Sequence, residues 1–187
     1  QWTKFDHAVA TGVALSWLAL QQSDRVGLVT FADGITGMIE RSSGQGHWRR
    51  IVSSLNTRPV DDGTDLVKVT DQVLGRIHNR AIFVILSDLL LDGDDVQSAL
   101  ARFKHQRQDV LLLQTLDDQE VTFQFGGPEQ LQDLEADHKV KIDPRAIQDA
   151  YLQALNDHLE TISQTCSQFG YDHLVMNTHQ SVGPALG

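Results

Sequence analysis

The acid best placed for chemistry in this chain closes a buried-looking strand. Ala81 to Leu86 is an unbroken apolar run, and it ends in Ser87-Asp88. In open α/β sheets ligands gather at the carboxyl ends of the strands, so Asp88 is the first candidate functional residue. A second is Thr64, in Gly63-Thr64-Asp65, where a hydroxyl precedes a helical pattern. A Thr hydroxyl and an Asp carboxylate on neighbouring loops are hard oxygen donors of the kind magnesium takes. Asp61, Asp62 and Asp65 crowd Thr64, which suits a nearby cation and equally a solvated loop. Thr64 also fits the plainer role of helix N-cap.

Asp117, Asp118 and Glu120 follow another apolar run, and paired acids there suit acid–base work as well as a polar loop. The eight histidines are scattered, with no H-E-x-x-H pair, and read as surface or satisfied structural residues. Cys166 falls on the apolar stripe of a helix and reads as a small hydrophobe. Ser43-Gly44-Gln45-Gly46 lacks the lysine and the strand–helix setting of a phosphate loop. No G-x-S-x-G elbow occurs.

Elements that would carry these residues follow from periodicity. Phe5, Val9, Val13, Trp17 and Leu20 predict a helix from about Lys4 to Gln22 lying flat on a sheet, with Trp17 in the core. Val26–Phe31 reads as a buried strand, and Ile35–Arg41 as its hairpin partner at a sheet edge. Short helices are expected around Trp48–Leu55 and Leu66–Ile77. After the strand ending at Asp88 come a helix through Val96 and Phe103, then the strand Val110–Leu116. The alternation in Val121–Phe125 predicts a small antiparallel excursion within 117–142. Asp143-Pro144 opens a long helix that Gly170 closes, and Leu174–Met176 is the last strand. Strands alternating with helices predict a doubly wound α/β domain over 1–187, with a mostly parallel sheet and helices on both faces.

The formal net charge is −10, which disfavours nucleic acid and anionic membrane surfaces as partners. A single cysteine excludes an internal disulfide and suits a reducing compartment, so the expected location is cytoplasmic, leaving a membrane-anchored parent open. No apolar stretch is long enough to span a bilayer.

The strings TKFDHAVATGVALSWLALQQSDRVGLVTFAD, DDGTDLVKV, AIFVILSDLLL, DVLLLQTLDDQE and LQDLEADHKVKIDPRAIQDAYLQAL resemble the bacterial DUF58 proteins, which carry a von Willebrand factor A-like (VWA) domain. The resemblance implies a doubly wound sheet with a metal-ion-dependent adhesion site (MIDAS) on its C-terminal edge. Such a site is built from D-x-S-x-S on a first loop, a Thr on a second and an Asp on a third. Thr64 and Asp88 match the last two as metal ligands, and Asp65 becomes a partner-facing residue. D-x-S-x-S is absent, as is the central first strand that carries it. The chain is therefore read as a fragment, with either a gap or a substitute strand expected between Val26–Phe31 and Ala81–Ser87. Magnesium, possible in an intact parent, is expected to bind this chain weakly or not at all.

By the same resemblance, the expected function is a non-catalytic protein-interaction module. Its partner would be a MoxR-type AAA+ ATPase engaged in assembling or activating complexes. The alternative is a doubly wound enzyme using Asp88 or Asp117 as base or metal ligand, which the fold permits. A third reading is a domain whose acidic faces bind without any metal site.

Overall fold

The computed structural model describes residues 2–44, 46–56, 63–123 and 144–180. Helix α1 (Lys4–Gln21) begins at a capping box in which the Thr3 hydroxyl takes the Asp6 N–H and the Asp6 carboxylate takes the Thr3 N–H. Strands β1 (Val26–Phe31) and β2 (Ile35–Ser42) form an antiparallel hairpin about the turn at Ala32. Helix α2 (His47–Leu55) and helix α3 (Leu66–Leu74) follow. Then β3 (Ile82–Ser87), α4 (Gly93–His105), β4 (Asp109–Leu116), α5 (Asp118–Thr122), α6 (Pro144–Phe169) and β5 (Asp172–Asn177) complete the order.

The three later strands make a parallel sheet in the order β3-β4-β5, and helices flank it. The main core fills one face. Leu66 and Leu74 of α3, Val96, Leu100 and Phe103 of α4, and Ile162 and Cys166 of α6 pack there on Ile85, Val110 and Leu112. Burial pushes the Cys166 thiol up to about 11, so it is an inert apolar group at neutral pH. Helix α1 lies on part of the opposite face, where its Gly12 leaves only 3.3 Å between an added Cβ and Leu86.

Several expectations are corrected. The mostly parallel sheet is confined to β3, β4 and β5. β1 and β2 form a separate two-stranded sheet. Among the described residues no strand lies between β1 and β3, so each keeps an unpaired edge. The two apolar runs read as buried strands are consequently only half covered. No residue of β1 is buried, and in β3 only Ile85 is, with Ile82 73% and Val84 39% exposed. By contrast β4, paired on both sides, is buried from Leu112 to Leu116.

The helix α1 also differs from expectation. Trp17 is 48% exposed and meets Trp48 edge-on at 5.2 Å rather than entering the core. The buried line of α1 is His7 and Thr11. A hydroxyl is tolerated there because Thr11 donates to the carbonyl of His7. At the excursion, Asp118–Thr122 is a helical turn, not the approach to a strand at Val121. Its capping box, with Asp117 as cap and Glu120 closing it, outweighs the alternating pattern. The remainder of 117–142, and Asp143 as a cap, lie outside the described residues. No helix among the described residues is long and apolar enough to cross a membrane.

Candidate functional site

Asp88 stands where β3 runs out, on a tightly held turn. The Ser87 hydroxyl accepts the Leu89 N–H at 3.1 Å. Leu89 itself is fully buried with φ 51°, a left-handed conformation that costs a branched residue about 1–2 kcal/mol. Side chains from two other elements hold it there. Gln114, completely buried in β4, donates its amide to the Asp88 carbonyl at 2.8 Å, and its oxygen faces His173 Nε2 at 3.0 Å. His158 of α6 reaches the Leu89 carbonyl through Nε2 at 2.7 Å. A carbonyl only accepts, so His158 carries its proton on Nε2, and by the same reasoning so does His173. Burial pulls the pKa of His173 below the usual histidine value, which keeps the ring neutral.

The Asp88 carboxylate, with its side chain 41% exposed, takes the Lys4 ammonium at 2.9 Å. The same ammonium meets Glu120 at 2.8 Å. Glu120 uses its other oxygen on the Asp117 N–H. Asp117 caps α5 through the Gln119 N–H and accepts from Thr178. Asp118 accepts from Asn177. These acids after β4 thus have structural partners, and Lys4 ties them to Asp88. Burial pulls the Lys4 pKa down, but hydrogen bonds and charge from Glu120 and Asp88 outweigh it and raise the pKa above the ordinary 10.5.

The sign of that shift fixes a pH dependence. A raised lysine pKa stabilises the fold fully below 10.5, and the contribution is lost as pH climbs through the folded value. Lys4→Met is expected to lower stability by about 1 kcal/mol at pH 7. The difference from the parent shrinks only in strongly alkaline buffer, as checked by thermal melts between pH 7 and 11. A gap that closes already at pH 8 would contradict the assignment.

The residues predicted from the second loop lie beside the turn after β1. The Asp65 N–H donates to Ala32 O, just past β1, at 3.2 Å. Thr64 is exposed there. The helix cap is Asp65 rather than Thr64, since Asp65 takes the Lys68 N–H at 2.8 Å. Among the described residues no hydrogen bond joins Thr64 to Asp88. Asp61 and Asp62 lie outside the described residues.

Residues 1–161 match the family model described as "Protein of unknown function DUF58". The chain belongs to the DUF58 family. No curated protein and no solved structure matches it. The matched span of this DUF58 chain includes Lys4, Thr64, Asp88, Gln114 and His158, while His173 and β5 lie beyond it.

A divalent cation of the magnesium type wants about six oxygens. Among the described residues of the DUF58 chain no three His, Cys, Asp or Glu side chains converge as a metal site. The carboxylate that would anchor an ion is already neutralised by Lys4.

Sequence reasoning missed Lys4, Gln114 and His158. Gln114 had a readable signal, a lone amide inside the apolar run Val110–Leu116. Lys4 had none, being 84 residues from Asp88 and 116 from Glu120.

Proposed function

We propose that this DUF58 chain is a non-catalytic docking module of VWA-like, doubly wound design whose carboxyl-end rim engages a protein partner. Following the resemblance, the partner class is a MoxR-type AAA+ ATPase, engaged in the cytoplasm to assemble or activate complexes. The observation that carries the reading is the Asp88 turn. A strained backbone is clamped from β4 and α6, and it offers a half-exposed charged group instead of a nucleophile with its base. Strain held this firmly preorganises a recognition surface. Thr64 and Asp65, exposed on the loop before α3, are included in that surface on the resemblance.

A MIDAS-type site at Thr64 and Asp88 needs donors beyond these two, so docking by the chain itself is independent of magnesium. The Lys4–Asp88 pair supplies the charge pattern in the ion's stead. The test is capture of a MoxR-type ATPase by the chain, with and without EDTA. Asp88→Ala is expected to weaken capture at least tenfold, on the order of the 1.4 kcal/mol or more that an interface charge contributes. EDTA is expected to change nothing. Unaltered capture by a Thr64→Ala, Asp88→Ala double variant would sink the docking surface, and loss of capture in EDTA would sink its independence of metal.

A further inference from the structure

The opposite rim of the parallel sheet carries a different chemistry. At the amino ends of β3 and β4, a cleft of about 570 Å³ is lined by His78, Arg80, Lys104, Arg107 and Asp109, with Gln106 and Gln108 between them. On a chain of net charge −10, this is a concentration of cationic side chains with one carboxylate among them.

Two of these cations have internal duties. Lys104 donates to the Phe169 carbonyl at 2.6 Å and lies over the Tyr171 ring, serving the ends of α4 and α6. Arg80 places two nitrogens on a single oxygen of Asp109, at 3.2 and 3.0 Å. Arg107 and His78 have no polar side-chain partner among the described residues.

Arg107 is also conformationally out of place. Helix α4 ends in a Schellman motif, with Gln108 N–H on Phe103 O and Arg107 N–H on Lys104 O. Arg107 occupies the left-handed position of that motif, φ 55°, where glycine is favoured. Helix α6 closes the same way with Gly170 at that position. Arg107 is the only charged residue at positive φ among those described. A side chain that opposes its local backbone preference and meets no polar side-chain partner among the described residues points to a partner outside the fold.

We propose that this cleft binds a compact phosphate-bearing small molecule, with the Arg107 guanidinium as its main ligand and His78 and Arg80 beside it. The planar guanidinium fork matches a phosphoryl group through two parallel hydrogen bonds. The cleft volume falls in the range of small-ligand sites. Charge selects for compactness. Screening at about 8 Å in physiological salt hides the distant acidic surface from a small anion, whereas an extended polyanion meets it. The inference is independent of docking at the Asp88 rim.

The test titrates the chain with pyrophosphate, following amide chemical shifts, and uses Arg107→Gly. Glycine keeps the left-handed backbone and removes the side chain that carries the guanidinium. The expected result is saturable shifts around residues 78, 80 and 107, binding at least tenfold weaker in Arg107→Gly, and a melting temperature equal to or above the parent's. No saturable binding by the parent, or equal binding by Arg107→Gly, would overturn the site. Triglutamate binding as tightly as pyrophosphate would overturn the phosphate class and assign the cleft to acidic peptides.

Discussion

Gln114→Leu is expected to destabilise the protein by about 2 kcal/mol and to loosen the turn bearing Asp88. Leucine fills nearly the same volume in β4, so the loss is not a cavity. It is the removal of two hydrogen bonds from a fully buried amide, one to the Asp88 carbonyl and one with His173. Each stranded group costs about 1–3 kcal/mol in a dry setting, and the added apolar contact of leucine offsets part of the sum. The functional consequence is separable from the stability loss. With one clamp gone, Leu89 no longer needs its left-handed conformation, and the Asp88 carboxylate loses its fixed aim. Urea unfolding reads the first effect. Capture of the partner well below the unfolding midpoint reads the second. A stability change under about 0.5 kcal/mol would show that Gln114 does not clamp the turn.

The second large effect separates two strands that look alike in sequence. Leu112→Ala in β4 is expected to cost about 2–5 kcal/mol, because Leu112 is completely buried between both neighbouring strands and the α3–α4–α6 core. Val84→Ala in β3 is expected to cost under about 1 kcal/mol, since little of its transfer free energy is realised at 39% exposure. Equilibrium urea melts of the two variants decide it. Comparable losses at both positions would mean that β3 is covered in solution by something other than the described residues.

That contrast shows where the fold was legible. The apolar runs, the Asp-Gly and Gly turns and the helical stripes located the elements, because local period and turn chemistry are written in neighbouring residues. Burial was misjudged for Ile82 and Val84, because coverage of a strand depends on what lies beside it, which a run of apolar letters does not state. Trp17 was misjudged for a related reason, as α1 turns its Thr11 line inward. Asp88 was singled out from its place after an apolar run, and Thr64 from its place before a helix. Lys4 escaped notice because a salt bridge between residues 84 apart leaves no local trace. The cap at Asp65, one residue from the expected Thr64, is the ordinary one-residue ambiguity of a helix start.

The separation of the hairpin from the parallel sheet has a consequence for how the molecule comes apart. Among the described residues the hairpin β1–β2 shares no backbone ladder with the parallel sheet, and α1, α2 and α3 hold it by packing and a few hydrogen bonds, such as His47 to the Val26 carbonyl at 2.7 Å and the Ile35 N–H to Gln72 at 3.0 Å. Two cooperative units are therefore built into one chain. Opening the hairpin breaks few polar links, whereas opening β4 breaks a ladder on each side. Amide hydrogens of Val26–Ser42 should thus exchange with deuterium through a lower-energy route than those of Asp109–Leu116. The Asp88 turn belongs to the parallel sheet and Thr64 abuts the hairpin, so exchange near the two residues should differ as well.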